Sequence, residues 1–147
     1  MNIWDADWGE QPEDWSGGKA LEKRLVPRGP LLGASLYELA PGSFMIFHFH
    51  HASEELLIVL RGTPTLRTGD GERQLEEGEV VHFPQGPEGA HGIHNHTEDA
   101  VRYVVAGTRV SPEVVEYPDL GKLTAQSRLP DQNGNPLFII HTLGEER

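Results

Sequence analysis

The hydrophobic residues of this chain are grouped into short runs bounded by glycine, proline and acidic residues. Between residues 31 and 108 these runs cover 36–39, 44–49, 56–60, 80–83 and 101–106, and one more follows at 137–140. Short strands at intervals of roughly 8–12 residues are typical of β-sandwiches and barrels. The pattern therefore predicts an all-β fold, with an antiparallel barrel as its most economical topology.

The segment 65–75 has the pattern of a β-hairpin. Two short runs flank Gly69, Asp70 and Gly71, residue types that tolerate the positive φ angles of a tight hairpin turn. The 17 glycines and 11 prolines of the chain are scattered rather than repeating, which indicates many short elements joined by tight turns. Long helices are not expected.

The pattern divides the chain into three parts. Residues 1–30 are polar and acidic, and they contain Trp4, Trp8 and Trp15. Disorder is one interpretation, but three tryptophans are a large apolar surface, so we expect an N-terminal arm that packs on the barrel. Residues 31–110 are predicted to form the barrel core, and residues 111–147 a C-terminal extension that packs on the barrel and adds a strand or covers an edge.

Composition restricts the partners and the chemistry. A chain of 147 residues suits one domain, and its formal net charge of −11 disfavours nucleic acid and anionic membrane surfaces. Cysteine is absent, so a metal would have nitrogen and oxygen ligands. The first ten residues lack the basic and apolar regions of a signal peptide, and no long apolar run occurs. We therefore predict a cytoplasmic protein.

Six of the eight histidines lie in two short windows, 48–51 and 91–96. The period of two in a strand places His48 and His50 on one face, about 6.5–7 Å apart, with Phe44 and Ile46 on the same face. Two imidazoles at this separation can converge on one ion. A lone His-x-His pair is equally typical of an exposed polar strand face, so the pair alone leaves both interpretations open.

The surrounding residues resemble the two conserved motifs of the cupin superfamily. In the first motif, Gly42 is followed after five residues by His48-Phe49-His50, after four more by Glu55, and after six more by Gly62. Residues 78–95 are similar to the second motif, with three residues between His91 and Asn95. Four residues, 87–90, separate Gly86 from His91 where the usual pattern has two, which indicates a loop insertion. Most of the chain also resembles small bacterial stand-alone cupins.

This resemblance implies a double-stranded β-helix, the jelly-roll barrel, that holds one divalent transition metal ion. The implied ligands are His48, His50, Glu55 and His91. Strand parity alone would allow Glu54 to replace Glu55, but only Glu55 keeps the six-residue spacing to Gly62. Three imidazoles and a carboxylate suit Zn, Mn, Fe, Ni, Co or Cu and do not select among them.

Two functions fit this resemblance. One is a metal-dependent enzyme of the oxygenase, isomerase or decarboxylase type that acts on a small organic molecule, and the other is a non-catalytic sensor or binding protein for a small molecule or metal. Apolar residues near the histidines predict a partly apolar ligand pocket. His82 and Tyr103 are candidates for proton transfer. The pocket candidates are Phe44, Ile46, Leu57, Val59, His82 and Tyr103.

A homodimer is also predicted. If His48 and His50 face the barrel interior, alternation sends Phe47 and Phe49 outward beside Met45, which would form an apolar patch. Either a second subunit or the tryptophans of the N-terminal arm would have to cover this patch.

Overall fold

The computed structural model describes residues 1–9, 11, 18–26 and 31–144. Within this part of the chain there are twelve strands and two single-turn 3-10 helices, at Pro87–Gly89 and Pro118–Leu120. The strands are β1 Ala20–Arg24, β2 Leu32–Leu39, β3 Phe44–His50, β4 Glu55–Arg61, β5 Thr65–Thr68, β6 Gly71–Gln74, β7 Val80–Phe83, β8 His91–His94, β9 Val101–Thr108, β10 Glu113–Tyr117, β11 Lys122–Ser127 and β12 Leu137–Thr142. No helix in the described residues has the length and apolar character needed to cross a membrane.

The strands form two antiparallel sheets, with the orders β1-β2-β9-β4-β7 and β12-β11-β10-β3-β8-β5-β6. The core contains buried residues from both sheets, among them Leu39, Leu57, Leu66 and Ile93. The prediction of an all-β antiparallel jelly roll is therefore confirmed. The predicted hairpin is also present, as β5 and β6, which pair from Thr65↔Gln74 to Thr68↔Gly71.

Strand β3 contains a β-bulge, which changes the face on which its first residues lie. Against β8, Met45 pairs with Ile93 and His48 pairs with His91, so β3 has one extra residue between these pairs. The bulge lies against Gly92, where a Cβ atom would be only 3.2 Å from the carbonyl oxygen of Met45. Glycine at this position therefore lets the irregular backbone approach.

Because of the bulge, the first residues of β3 face the side of the sheet opposite to the one that simple alternation from His48 and His50 predicts. Met45 lies in the core, whereas Phe44 is 37% exposed and stacks on His94 outside the barrel. The expectation that Phe44 shares the inner face with His48 and His50 is therefore wrong. Simple alternation along 44–50 does not hold across an inserted residue.

The apolar patch expected on the outer face of β3 is also not present. Met45 and Phe49 are only 8% and 5% exposed, and the guanidinium of Arg67 lies 4.2 Å from the ring centroid of Phe47. Arg67 in turn forms an ion pair with Asp119, with Nη2 and Oδ1 2.9 Å apart. Residues of the body itself therefore cover the face for which a partner subunit was expected.

The N-terminal residues contact the opposite sheet. Strand β1 pairs with β2 at the sheet edge, and the buried Arg102 donates to the carbonyl of Ile3 at 2.9 Å. The Trp8 ring lies 5.3 Å from the Arg102 guanidinium, and the Trp4 ring lies 5.7 Å from that of Arg61. These two tryptophans therefore do not cover β3, and Trp15 lies outside the described residues.

Residues after 110 continue the second sheet through β10, β11 and β12. The C-terminal extension thus adds three strands where the sequence pattern predicted one.

Candidate metal centre

Three strands bring together the residues of the two histidine windows. His48 and His50 are near the end of β3, Glu55 is the first residue of β4, and His91 is the first residue of β8. His48 pairs directly with His91 in one sheet, while β4 belongs to the other sheet. The imidazoles and the carboxylate therefore meet between the two sheets.

The distances in this cluster suit one small cation. Oε2 of Glu55 lies 3.4 Å from Nε2 of His50 and 3.3 Å from Nε2 of His91. The ligand atoms of His48, His50 and Glu55 all lie within 4.8 Å of one another. The ring centroids of His48 and His91 are 4.7 Å apart. Three imidazoles thus surround one carboxylate oxygen.

Local carbonyl groups orient two of the imidazoles. Nδ1 of His48 donates to the carbonyl of Ile46 at 2.7 Å, and Nδ1 of His91 donates to that of Gly89 at 2.8 Å. An imidazole that donates through Nδ1 presents its Nε2 lone pair, which is the form that binds a metal. The ring of Phe83 stacks on His91 with a centroid distance of 3.6 Å and fixes it further.

A second carboxylate, Glu113 at the start of β10, lies behind His50. Glu113 is only 4% exposed, and its Oε2 is 3.7 Å from Nδ1 of His50. Its Oε1 accepts the backbone N–H groups of Ala52 and Val114 at 3.1 and 2.9 Å. A carboxylate behind a histidine is a frequent outer partner of metal ligands, because it orients the ring and raises its basicity.

Several polar atoms of the cluster are buried without a hydrogen-bond partner among the described residues. They include Nε2 of His50, Oε2 of Glu55 and Oε2 of Glu113. An unsatisfied buried polar atom costs about 1–3 kcal/mol, and more if it is charged. A divalent cation held by the first two atoms would remove this cost, so the donor set fits a metal ion.

Burial and mutual charge set the protonation of the cluster. Burial, reinforced by the neighbouring His91, lowers the pKa of His48 to about 4, so this imidazole is neutral at pH 7. Burial also acts to lower the pKa of His50, but the nearby Glu55 carboxylate outweighs it, and the pKa is raised. The same contacts with His50 and His91 overcome the effect of burial on Glu55 and lower its pKa.

Glu55 and Glu54 point to opposite sides of the sheet. Glu55 lies among the imidazoles, whereas the exposed Glu54 contacts Nε2 of the exposed His82 through its Oε2, at 2.8 Å. Gly107 of β9 permits this arrangement, because a Cβ atom there would be 2.6 Å from the Glu54 carbonyl oxygen and 3.0 Å from Cγ of Glu55. His82 therefore lies on the outer surface and not in the pocket.

The cluster lies in the wall of a cavity of about 610 Å³, which we call the apolar lobe. Its apolar lining includes Ile46, Val115, Phe138 and Ile140. A second cavity of about 510 Å³, the arginine lobe, shares part of this wall. The residues common to both lobes are Glu22, Tyr37, His50, Glu55, Val105 and Gln126.

A family model described as the cupin domain matches residues 35–108, half of the chain. The chain belongs to the cupin family. This agrees with the expectation from the two motifs, and the matched region contains the whole cluster.

Two solved structures resemble this cupin over most of its length. A sugar phosphate isomerase of the cupin superfamily from Silicibacter pomeroyi is 27% identical, covers 84% of this chain and 76% of that chain, and has a TM-score of 0.72. A protein from Acidithiobacillus ferrooxidans, provisionally named a sugar phosphate isomerase, is also 27% identical. It covers 87% of this chain and 79% of that chain, with a TM-score of 0.73.

A cupin barrel protein from Salinispora arenicola, 23% identical with a TM-score of 0.58, shares the fold; 75% of this chain and 90% of that chain are covered. None of the curated proteins compared matches this cupin.

The expected pocket residues are dispersed. Ile46 lines the apolar lobe of this cupin, while Leu57, Val59 and Tyr103 lie in the buried core. Tyr103 nevertheless contacts a residue of the pocket wall, because its ring stacks on that of Tyr37 at a centroid distance of 5.4 Å. Its buried hydroxyl has no hydrogen-bond partner among the described residues.

Sequence reasoning missed Glu22 and Tyr37, which face each other on β1 and β2 and border both lobes. Oε1 of Glu22 accepts the hydroxyl of Ser35 at 2.9 Å and lies 3.5 Å from the hydroxyl of Tyr37. Burial, followed by the charge of Glu22, raises the pKa of Tyr37, so its hydroxyl stays protonated. The alternation of inward and outward side chains along β2 could have identified Tyr37. Glu22 could not be found in this way, because β1 lies in the segment that was interpreted as an arm.

Proposed function

We propose that this cupin is a metal-dependent enzyme that acts on a small organic molecule. His48, His50, Glu55 and His91 would hold one divalent transition metal ion from the set Zn, Mn, Fe, Ni, Co and Cu. The observation that carries the proposal is the convergence of three imidazoles, two of them oriented by hydrogen bonds, and one carboxylate in the wall of a cavity large enough for a metabolite. Four protein ligands leave positions open for a substrate.

Within this class we propose an isomerase that interconverts an aldose and a ketose. The names of the two 27% identical relatives support this narrower assignment. The reaction moves one proton from a carbon to the neighbouring carbon and another from the hydroxyl to the carbonyl oxygen, with no external oxidant, so the protein must supply a base and polarise the carbonyl. The bound metal would act as the Lewis acid for that carbonyl oxygen.

Glu22 has the position and chemistry for the base. Its carboxylate borders both lobes, and the Ser35 hydroxyl that donates to Oε1 holds it in place. Burial raises the pKa of the neighbouring Tyr37 hydroxyl, 3.5 Å away, so it stays protonated and can donate a hydrogen bond to a substrate oxygen. The carboxylate of Glu22 can then accept a proton from one carbon and return it to the next within one binding event.

The test combines metal analysis with a deuterium-exchange assay. Protein loaded with each candidate metal is incubated in D₂O with a panel of aldose and ketose phosphates, and proton NMR follows both conversion and exchange at the carbon next to the carbonyl. We expect turnover that chelation abolishes and Glu22→Gln reduces at least about a hundredfold, the lower end of the range for general-base contributions. Elemental analysis that finds no bound metal, or turnover that survives chelation, would refute the proposal.

The apolar lobe also favours a second function, in which the same centre binds an apolar metabolite without turnover. Ile46, Val115, Phe138 and Ile140 suit a hydrocarbon portion better than a sugar. The NMR assay separates the two functions, because a binding protein broadens ligand signals without exchange or conversion.

We further propose that the protein is a homodimer that associates through β12. This strand is the last in its sheet among the described residues, and Phe138, Ile139 and Ile140 are between 51% and 63% exposed. An apolar edge strand favours pairing with another chain, and a second copy presents the same strand in return. Light scattering should show that Ile139→Glu dissociates the dimer, whereas Val80→Glu on the edge strand β7 leaves it intact. A monomeric wild-type protein at micromolar concentration would contradict this.

A further inference from the structure

We infer that the arginine lobe binds the phosphate group of a phosphorylated substrate through Arg24, Arg109 and Arg128. This inference rests on the proposed function, since it names the substrate class of the same centre. The three arginines come from distant parts of the chain and all line one cavity of about 510 Å³.

The convergence is notable because the protein is acidic. The chain has 12 lysines and arginines against 23 acidic residues. The arginines outside the lobe whose contacts are described lie against a carboxylate or an aromatic ring. These pairs are Arg61 with Trp4, Arg67 with Asp119, Arg73 with Glu79, and Arg102 with Glu38. The arginine lobe brings three guanidinium groups together with the carboxylates of Glu22, Glu55 and Glu113, so the positions of these charges, and not a net excess of either sign, decide where an anion can bind.

The position of Arg109 is built into the sheet. Its backbone N–H donates to the carbonyl of Leu31 at 2.8 Å. Its side chain crosses Gly33 of β2, where a Cβ atom would be 3.1 Å from Cγ and 3.2 Å from Cδ of Arg109. The glycine thus leaves room for the aliphatic part of Arg109, which lines the lobe.

Arg128 is tied to the same position. Its guanidinium donates to the carbonyl of Arg109, and its backbone N–H donates to Oγ of Ser111 at 2.9 Å. Ser53, Ser111 and Thr108 also line the lobe, which adds hydroxyl groups to the guanidinium donors. Arginine and hydroxyl donors together are typical of phosphate recognition.

The charges are separated along the lobe in a way that orients a ligand. Of the three carboxylates in the lobe, Glu113 is buried and Glu22 and Glu55 are half-buried, while Arg24 and Arg128 are exposed. A ligand with an anionic group at one end and hydroxyl or carbonyl oxygens at the other matches this separation. A phosphate monoester has three terminal oxygens and a charge of about −1.5 to −2 at pH 7, which suits several guanidinium groups better than a carboxylate does.

Calorimetry with inorganic phosphate tests the inference on protein that has been stripped of metal by chelation, so that phosphate cannot bind to an ion. Wild type and Arg73→Gln, a surface control whose partner is Glu79, should bind phosphate with affinities within about twofold of each other. Arg109→Gln and Arg128→Gln should each weaken binding about tenfold, and the double variant should abolish it. Arg128 is exposed, so its replacement leaves the fold intact, which circular dichroism checks.

Phosphate affinity that is unchanged in the double variant overturns the inference, as does acetate that binds as tightly as phosphate. Elemental analysis of the same variants before chelation separates this result from the proposed function. If the wild-type protein binds no metal but its phosphate affinity depends on Arg109 and Arg128, the metal enzyme is wrong and the anion site stands. If metal binds and phosphate does not, only the anion site is wrong.

Discussion

Replacing Glu55 with glutamine tests the metal centre most directly. The substitution keeps the size of the side chain and removes its charge. Oε2 of Glu55 lies 3.4 and 3.3 Å from Nε2 of His50 and His91, so the carboxylate belongs to the group that would contact the ion. We expect Glu55→Gln to weaken metal binding strongly while the barrel stays folded.

The size of the effect follows from the environment of the carboxylate. A carboxylate and a divalent ion about 4 Å apart interact by about 8 kcal/mol at an effective dielectric constant of about 20. This sets an upper limit of roughly a millionfold change in affinity. The Glu55 side chain is 19% exposed and the amide oxygen of glutamine is still a weak ligand, so we expect a smaller loss, of about a hundredfold.

Glu54→Gln is the matched control, because Glu54 is the preceding residue and its side chain pairs with His82 on the outer surface. Metal affinity is measured by competition with a chromophoric chelator, and bound metal by elemental analysis. Glu54→Gln should change the affinity less than about twofold, as expected for an exposed ion pair. Equal losses in the two variants, or a loss in Glu54→Gln alone, would refute the assignment of Glu55.

Three further predictions concern protons, stability and packing. Because Glu55 raises the pKa of His50, metal binding should release roughly one proton, seen by calorimetry in two buffers, and affinity should fall as pH drops through that pKa. Chelation should lower the melting temperature by several degrees, since a ligand at a hundred times its Kd stabilises the folded state by about 2.7 kcal/mol. In urea unfolding, Phe49→Ala should lower the free energy of unfolding by about 3–5 kcal/mol and Phe44→Ala by about 1 kcal/mol, because Phe49 is buried and Phe44 is exposed. Equal losses would contradict the observed bulge.

The sequence predicted those features that depend on neighbours along the chain. The β5–β6 hairpin follows from its glycine-rich turn, and the all-β antiparallel fold follows from the short apolar runs between turn residues. The choice of Glu55 over Glu54, made from its spacing to Gly62, agrees with the side of the sheet on which each carboxylate lies.

Features that depend on a distant residue were not predictable. The bulge in β3 needs the absent side chain of Gly92, which lies on another strand, so alternation placed Phe44 on the wrong face. The burial of Phe49 and the cover of Phe47 by Arg67 likewise depend on contacts formed only when the sheets assemble.

The contact between His50 and Glu113 changes how the C-terminal extension is understood. His48 and His91 are oriented by carbonyls only two residues away, so the motif segments themselves fix these rings. His50 instead faces a buried carboxylate from β10, which the backbone N–H groups of Ala52 and Val114 hold in place. Because β10 also pairs with β3, the extension places a carboxylate behind one ring of the cluster and adds a strand to its sheet. The candidate metal centre therefore has a charged neighbour from outside both motifs, and a barrel limited to 31–110 would lack the carboxylate behind His50.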